Sequence, residues 1–167
     1  MSQIKNSSVR RSLWLLFALT LLLAGCGKRP IYSHFEHIGR DGWTQTDTLH
    51  FTIATVSAGI PSVQLSLRTS SHYPYTQLSI IARQETAISR QQRTDTLTFC
   101  INDDAAGSSK HGVSARQHDM FIPSLAVADA DTLRINLYHG MSRFTLPGIL
   151  DAGITLEDSS PRQYEGK

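Results

Sequence analysis

Few residues of this chain are spaced for chemistry. His34-Phe35-Glu36-His37 puts two imidazoles and a carboxylate within four positions. Zinc sites use such residues, but a closed site needs about four ligands, and no further set lies nearby. Asp103-Asp104 ahead of Gly107 offers oxygen ligands without the alternating spacing of a calcium loop, so a turn rich in Asp is the better reading. His111 or His118 with Asp119 could act as base and orienting acid only if the fold assembled them with a nucleophile. The chain has no Gly-x-Ser-x-Gly elbow, Ser-x-x-Lys, phosphate-cradling glycine loop or His-Glu-x-x-His. No catalytic residue, metal site or cofactor is therefore expected. Trp43, Tyr73 and Tyr138 could line a face on which sugar rings stack, the alternative function being a glycan-binding sandwich. Against this, Trp43 after Gly42 and the Tyr73-Pro74-Tyr75 corner have the composition of plugs at the ends of a sandwich, since proline holds the residue before it extended.

The residue with the clearest role is Cys26. Before it stand Lys5, Arg10 and Arg11 with no acid, then an apolar run from Leu13 to Leu23, then Ala24-Gly25. A basic end, a short apolar middle and small residues at the cut make a secretory signal peptide. From Leu13 to Gly25 the run is too short to cross a bilayer, which needs about 20 residues. Leu23-Ala24-Gly25-Cys26 resembles the lipobox of bacterial lipoproteins. That resemblance implies cleavage before Cys26, a diacylglycerol on its thiol and acylation of the new amino terminus. Two or more chains anchor stably where one does not. With Cys26 lipidated, Cys100 has no partner within the chain. Its place in the alternating run Thr96 to Ile101 predicts a small, partly buried side chain.

Removing the first 25 of 167 residues leaves 142, enough for one domain with a sizeable core. Three bases leave with the signal, so the 16 Lys and Arg fall to 13 against 14 acids. That balance gives no basis for nucleic-acid binding. Period-2 alternation dominates what remains: Leu49 to Ile53, Val63 to Leu67, Leu78 to Ala82, Leu97 to Ile101, Leu133 to Leu137 and Ile154 to Leu156. Each reads as a strand with one buried face, and Phe121-Ile122-Pro123 as a further short edge strand. Turn residues separate them, at Ala58 to Pro61, Tyr73 to Tyr75, Asp103 to Gly107, Asp129 to Asp131 and Leu146 to Gly148. The pattern predicts an all-β fold, an antiparallel β-sandwich of jelly-roll or immunoglobulin-like type. Glu85 to Arg93 reads as a hairpin crossing, and Asn102 to Gln117 as a long loop. The expected organisation is a signal peptide over 1–25, a lipidated tether over 26–37, a β-sandwich over 38–158 and a flexible tail over 159–167.

Five stretches in order resemble the gliding-motility lipoprotein H family (GldH). They are the lipobox with Tyr32 after a short tether, Gly42-Trp43 with Asp47, His72-Tyr73-Pro74-Tyr75-Thr76-Gln77-Leu78, Thr94-Asp95-Thr96-Leu97, and Pro147 to Glu157 with its Gly-Ile and Asp-x-Gly-Ile pattern. Gln77 stands where the family pattern leads one to expect Asn, and the stretch Ala105 to Gln117 lacks an expected aromatic. The resemblance implies a non-enzymatic membrane lipoprotein, an accessory or scaffold part of the gliding apparatus and its secretion system, with envelope proteins as partners. It transfers no catalytic residue, only Cys26 as the lipid attachment point. Gly27 in place of Asp, and Lys28-Arg29 in place of an acidic run, lead us to expect the outer membrane with the domain facing the periplasm.

Overall fold

The computed structural model describes residues 30–54, 58–101 and 115–157. Ten strands run in order: β1 (Tyr32–His37), β2 (Trp43–Thr44), β3 (Leu49–Ala54), β4 (Ser62–Ser70), β5 (Gln77–Thr86), β6 (Gln92–Cys100), β7 (Ala115–Ile122), β8 (Thr132–His139), β9 (Thr145–Leu146) and β10 (Ile149–Glu157). Their antiparallel partners are nested. β1 pairs with β10, β2 with β9, β3 with β8, β4 with β7, and β5 with β6. The chain is thus one long ribbon, folded back at the β5–β6 tip and rolled up. Two further pairings, β10 with β4 and β5 with β8, close the roll into two sheets. The first sheet has the order β1-β10-β4-β7 and the second β3-β8-β5-β6. That order is a jelly roll, which decides between the two sandwich types the alternation allowed.

The alternation predicts the buried faces correctly. Phe51 and Ile53 of β3, Val63, Leu65 and Leu67 of β4, Leu78 and Ile80 of β5, and Leu133, Ile135 and Leu137 of β8 all lie inside. Fully burying such a side chain contributes roughly 1.5–3 kcal/mol. Surface ion pairs such as Arg134–Glu85, at 3.8 Å with half-exposed partners, contribute at most about 1 kcal/mol each. The interior between the sheets therefore dominates stability.

Three expectations change. Residues 32–37, read as tether, form edge strand β1, and Ile31 before it already donates its N–H to the Leu156 carbonyl. β1 escapes the alternation because its inward positions, Tyr32, His34 and Glu36, are polar or amphipathic, while Phe35 points outward and lies over Gly153. Residues Ala115 to Gln117, read as loop, begin β7, whose inward His118 bonds Thr69 instead of presenting an apolar side chain. Pro123 follows β7, which is an edge strand as its proline requires. Cys100, expected partly buried, is exposed at the end of β6. Glu85 to Arg93 is the β5–β6 hairpin, with its tip over Ala87 to Gln91.

The two ends of the sandwich differ. One end, here the N-terminal end, gathers Ile31 before β1, the β3–β4 connection, the β5–β6 tip and the β7–β8 connection. The other, the distal end, is closed by the β2–β9 ribbon and the Tyr73 corner.

Candidate functional site

Part of the stretches that carried the sequence resemblance, around Gly42-Trp43, Tyr73 and Gly148, converges on the distal end and makes its own contacts there. Gly42 has φ +98°, and a Cβ there would meet the Leu146 carbonyl oxygen at 2.5 Å. Gly148 has φ +81°, and its Cβ would meet the Tyr73 nitrogen at 2.7 Å. Glycine is required at both. Trp43, 1% exposed, donates its indole N–H to the Asp47 carbonyl at 2.9 Å and stands edge-on to His139. Tyr73 donates its hydroxyl to the Gln77 carbonyl at 2.9 Å and packs edge-on to Tyr75. Burial, then the neighbouring Tyr75, push the Tyr73 phenol up to about 12.

These positions correct the sugar-stacking expectation. Trp43 and Tyr73 are buried, so their faces are closed to a ligand. Tyr138 is half-buried on the outer face of the second sheet, opposite Ile81. The three rings share no exposed surface. The rings of Trp43 and Tyr73 pack inside the distal end.

The titratable residues divide in the same way. Cys26, Asp103, Asp104 and His111 lie outside the described residues. His34 donates to Glu36 at 2.9 Å, both exposed, and no group of three metal-ligating side chains occurs among the described residues. His118 is hydrogen-bonded to Thr69 at 3.1 Å, and burial first, then Arg116, lower its pKa.

A different cluster emerges on the outer face of the first sheet. The register places His37, Asp151, Arg68 and Gln117 in one row across all four strands. The next row is Phe35, Gly153, Ser66 and Asp119. Phe35 occupies the space a side chain at Gly153 would take, its ring carbons from 2.5 Å away from that Cβ position. The Arg68 guanidinium sits 4.5 Å above the Phe35 ring. Arg68 also donates to Gln117 at 3.1 Å and pairs with Asp151 at 3.9 Å, and His37 donates to Asp151 at 2.9 Å. A guanidinium stacked on a ring and held by a carboxylate is a fixed, partly exposed platform of the kind that anchors protein interfaces. The His37–Asp151 pair has the 3 Å spacing of a catalytic dyad, but it lies on an open sheet surface with His37 73% exposed. Sequence inspection missed this platform because only strand pairing brings Phe35, Arg68 and Asp151 together; the Asp-x-Gly of β10 was its one visible trace.

A model of the GldH lipoprotein family matches residues 30–156, which span all ten strands but for the last residue of β10. The chain belongs to the GldH lipoprotein family. As a GldH lipoprotein it is a gliding-motility-associated protein of the cell envelope. The distal-end glycines and aromatics, with Asp151 and Gly153, are where its family pattern meets its packing. No curated protein matches the sequence. Solved structures align at low similarity. A family GH115 4-O-methyl-alpha-glucuronidase, BtGH115A, with specificity for decorated arabinogalactans, shares 9% identity over 81% of this chain and 18% of its own, with a TM-score of 0.42. Dimeric latent PorU from Porphyromonas gingivalis shares 11% over 80% and 14%, with a TM-score of 0.30. Eiger TNF from S. frugiperda shares 8% over 83% and 100%, with a TM-score of 0.31. The chain thus spans less than a fifth of the first two, and at these TM-scores the alignments carry no argument about function.

Proposed function

We propose that this GldH lipoprotein is a non-enzymatic accessory component of the gliding-motility and associated secretion machinery. Cleavage before Cys26 and acylation tether it to the outer membrane, and the domain faces the periplasm. Membership of the family over residues 30–156 is the observation that carries this reading. Two features of the fold support a docking role. The Phe35–Arg68–Asp151 platform is rigid and half-exposed. Beside it, edge strand β7 pairs with β4 alone among the described residues, which leaves its outer side for a partner's strand. The buried carboxylate of Asp131 is occupied by structural donors, and the His37–Asp151 pair stands open to solvent on a sheet surface, which favours binding over catalysis.

Lipid labelling in the native host, comparing the wild type with Cys26→Ser, tests the anchor. Label and outer-membrane location are both expected to vanish. A Cys26→Ser protein that keeps either one sinks the anchoring model. A photo-crosslinking residue at Gln117 tests the partner surface, with one at Thr96, on the outer face of the second sheet, as control. Adducts with particular envelope proteins are expected from Gln117 and not from Thr96. Identical adducts, or none, from both positions count against docking through the first sheet.

A further inference from the structure

Exposed large apolar side chains are unevenly placed on this molecule. The described ones are Ile31 (43% exposed), Ile60 (62%), Ile88 (67%), Phe121 (65%) and Phe144 (60%). Phe144 belongs to the distal end, where its carbonyl accepts from Gln45 N–H beside the β2–β9 ribbon. The other four gather at or beside the N-terminal end. Ile31 donates its N–H to the Leu156 carbonyl, at the outer limit of the first sheet. Ile60 lies two residues before β4, whose first residue, Ser62, pairs with Glu157 of β10. Ile88 is in the β5–β6 tip. Phe121 is the penultimate residue of β7 and points outward, opposite Gln64, on the flank of that end.

These segments are fastened to one another, so their placement is fixed. The Ala58 N–H donates to Asp129 at 2.6 Å, and Gly59 and Val127 form a two-way backbone bridge. Two residues beyond Asp129, Asp131 holds the N–H groups of Ile88 and Ser89. The β3–β4 connection, the β7–β8 connection and the β5–β6 tip thus form one braced rim. Scattered single apolar residues on a surface are ordinary, but four of the five described ones at or beside one end are a mark of contact.

We propose that this rim rests on the lipid bilayer, with Ile31, Ile60 and Ile88 entering the headgroup region and Phe121 beside them. The inference rests on anchoring through Cys26, and the tether decides the occupant. From Cys26 to Ile31 are five residues, which span at most about 18 Å even when fully extended. The ten-residue strand β5 alone is about 33 Å long, so the tether keeps the N-terminal end within its own reach of the membrane, and in an upright domain the distal end stands a full strand length farther away. Arg90, beside Ile88 in the tip, and Lys28 and Arg29 in the tether add positive charge that suits an anionic headgroup layer. Acyl chains and inserted side chains then act together, and the domain stands in one orientation with its distal cap outward.

The test uses the full lipidated protein, purified from host membranes and reconstituted into vesicles of phosphatidylethanolamine and phosphatidylglycerol carrying doxyl-labelled acyl chains. Tryptophan is placed by Ile60→Trp, by Ile88→Trp and, as distal control, by Phe144→Trp. All three sites are exposed, so the fold tolerates the change, and buried Trp43 supplies a constant background. Quenching of the added emission is expected to be at least about threefold stronger for Ile60→Trp and Ile88→Trp than for Phe144→Trp. Weak or equal quenching at all three sites, in protein that floats with the vesicles, overturns the rim contact and leaves the anchor standing. Failure of the unaltered protein to float overturns both. A blue shift at the rim that grows with protein density without quenching assigns the rim to a second copy of the chain and overturns the inference.

Discussion

Four donors converge on Asp131, which is almost fully enclosed: the N–H groups of Ile88, Ser89 and Thr132 and the Ser89 hydroxyl, at 2.7–3.0 Å. The Ile88 N–H first, then the Ser89 and Thr132 groups, outweigh burial and hold the carboxyl far below the usual carboxylate range. A depressed carboxylate stabilises the fold above its unfolded pKa of about 3.9 and loses that contribution as pH falls. His139 works at a higher pH. Its ring is fully buried against Trp43 and neither nitrogen makes a hydrogen bond of full geometry. Burial lowers its pKa, against the smaller opposing pull of the Phe144 and Trp43 backbone and of Asp47. The unfolded chain therefore binds a proton below about 6.5 that the folded chain resists, so stability falls with pH there as well. Melting temperature is expected to hold near neutrality, decline as pH falls below about 6.5, and decline further below about 4. His139→Leu flattens the first decline and Asp131→Asn the second, and Asp131→Asn also lowers the melting temperature at pH 7 by roughly 5–10 °C, because an amide nitrogen cannot accept the converging donors. A profile unchanged in both variants refutes these assignments. The sequence identifies neither residue as buried, since Asp129-Ala130-Asp131 reads only as a turn and His139 sits one step beyond the predicted strand.

Among the elements, the long strands and the short ones differ in how plainly they can be read. β3, β4, β5 and β8 declare themselves because two apolar layers meet between the sheets and alternate residues must be Leu, Ile, Val or Phe. β2 and β9, at two residues each, are shorter than any period, and only their glycines mark them. β1 and β7 are edges whose inward positions carry His34, Glu36 and His118; inward charge at an edge also discourages unwanted strand pairing. The same limit explains the functional surface. Residue type showed that Trp43 and Tyr73 were special, and only the packing showed that they face inward. The Tyr73 corner and the β9–β10 turn depend on each other through Gly148. Gly148→Ala forces a side chain into a left-handed backbone and onto the Tyr73 nitrogen, and is expected to cost on the order of 1–3 kcal/mol or more in denaturant unfolding. A loss below about 0.5 kcal/mol shows that the corner relaxes freely and removes the mutual-locking account of the distal end.

At the scale of the molecule, the nested pairing makes the last strand a central one. β10 lies between β1 and β4, which do not pair with each other. A chain ending at Gly148 lacks every β10 contact, exposes the inner edges of two strands, and removes Ile149, Ala152, Ile154 and Leu156 from the core. Such a truncation is expected to be unfolded by circular dichroism and degraded in the host. A folded, cooperatively melting fragment contradicts the closure role given to β10.

The central place of β10 has a consequence for biosynthesis. A nascent chain with β1 through β9 already made can pair β4 with β7 but cannot join β1 to them, because the strand that lies between, β10, is made after all three. Closure of the first sheet therefore waits for the synthesis of β10, and long-range closure of this kind is intrinsically slow. In a protein of the cell envelope, that delay keeps the polypeptide threadable until β10 has been made. The jelly roll assembles only after the C-terminal strand arrives.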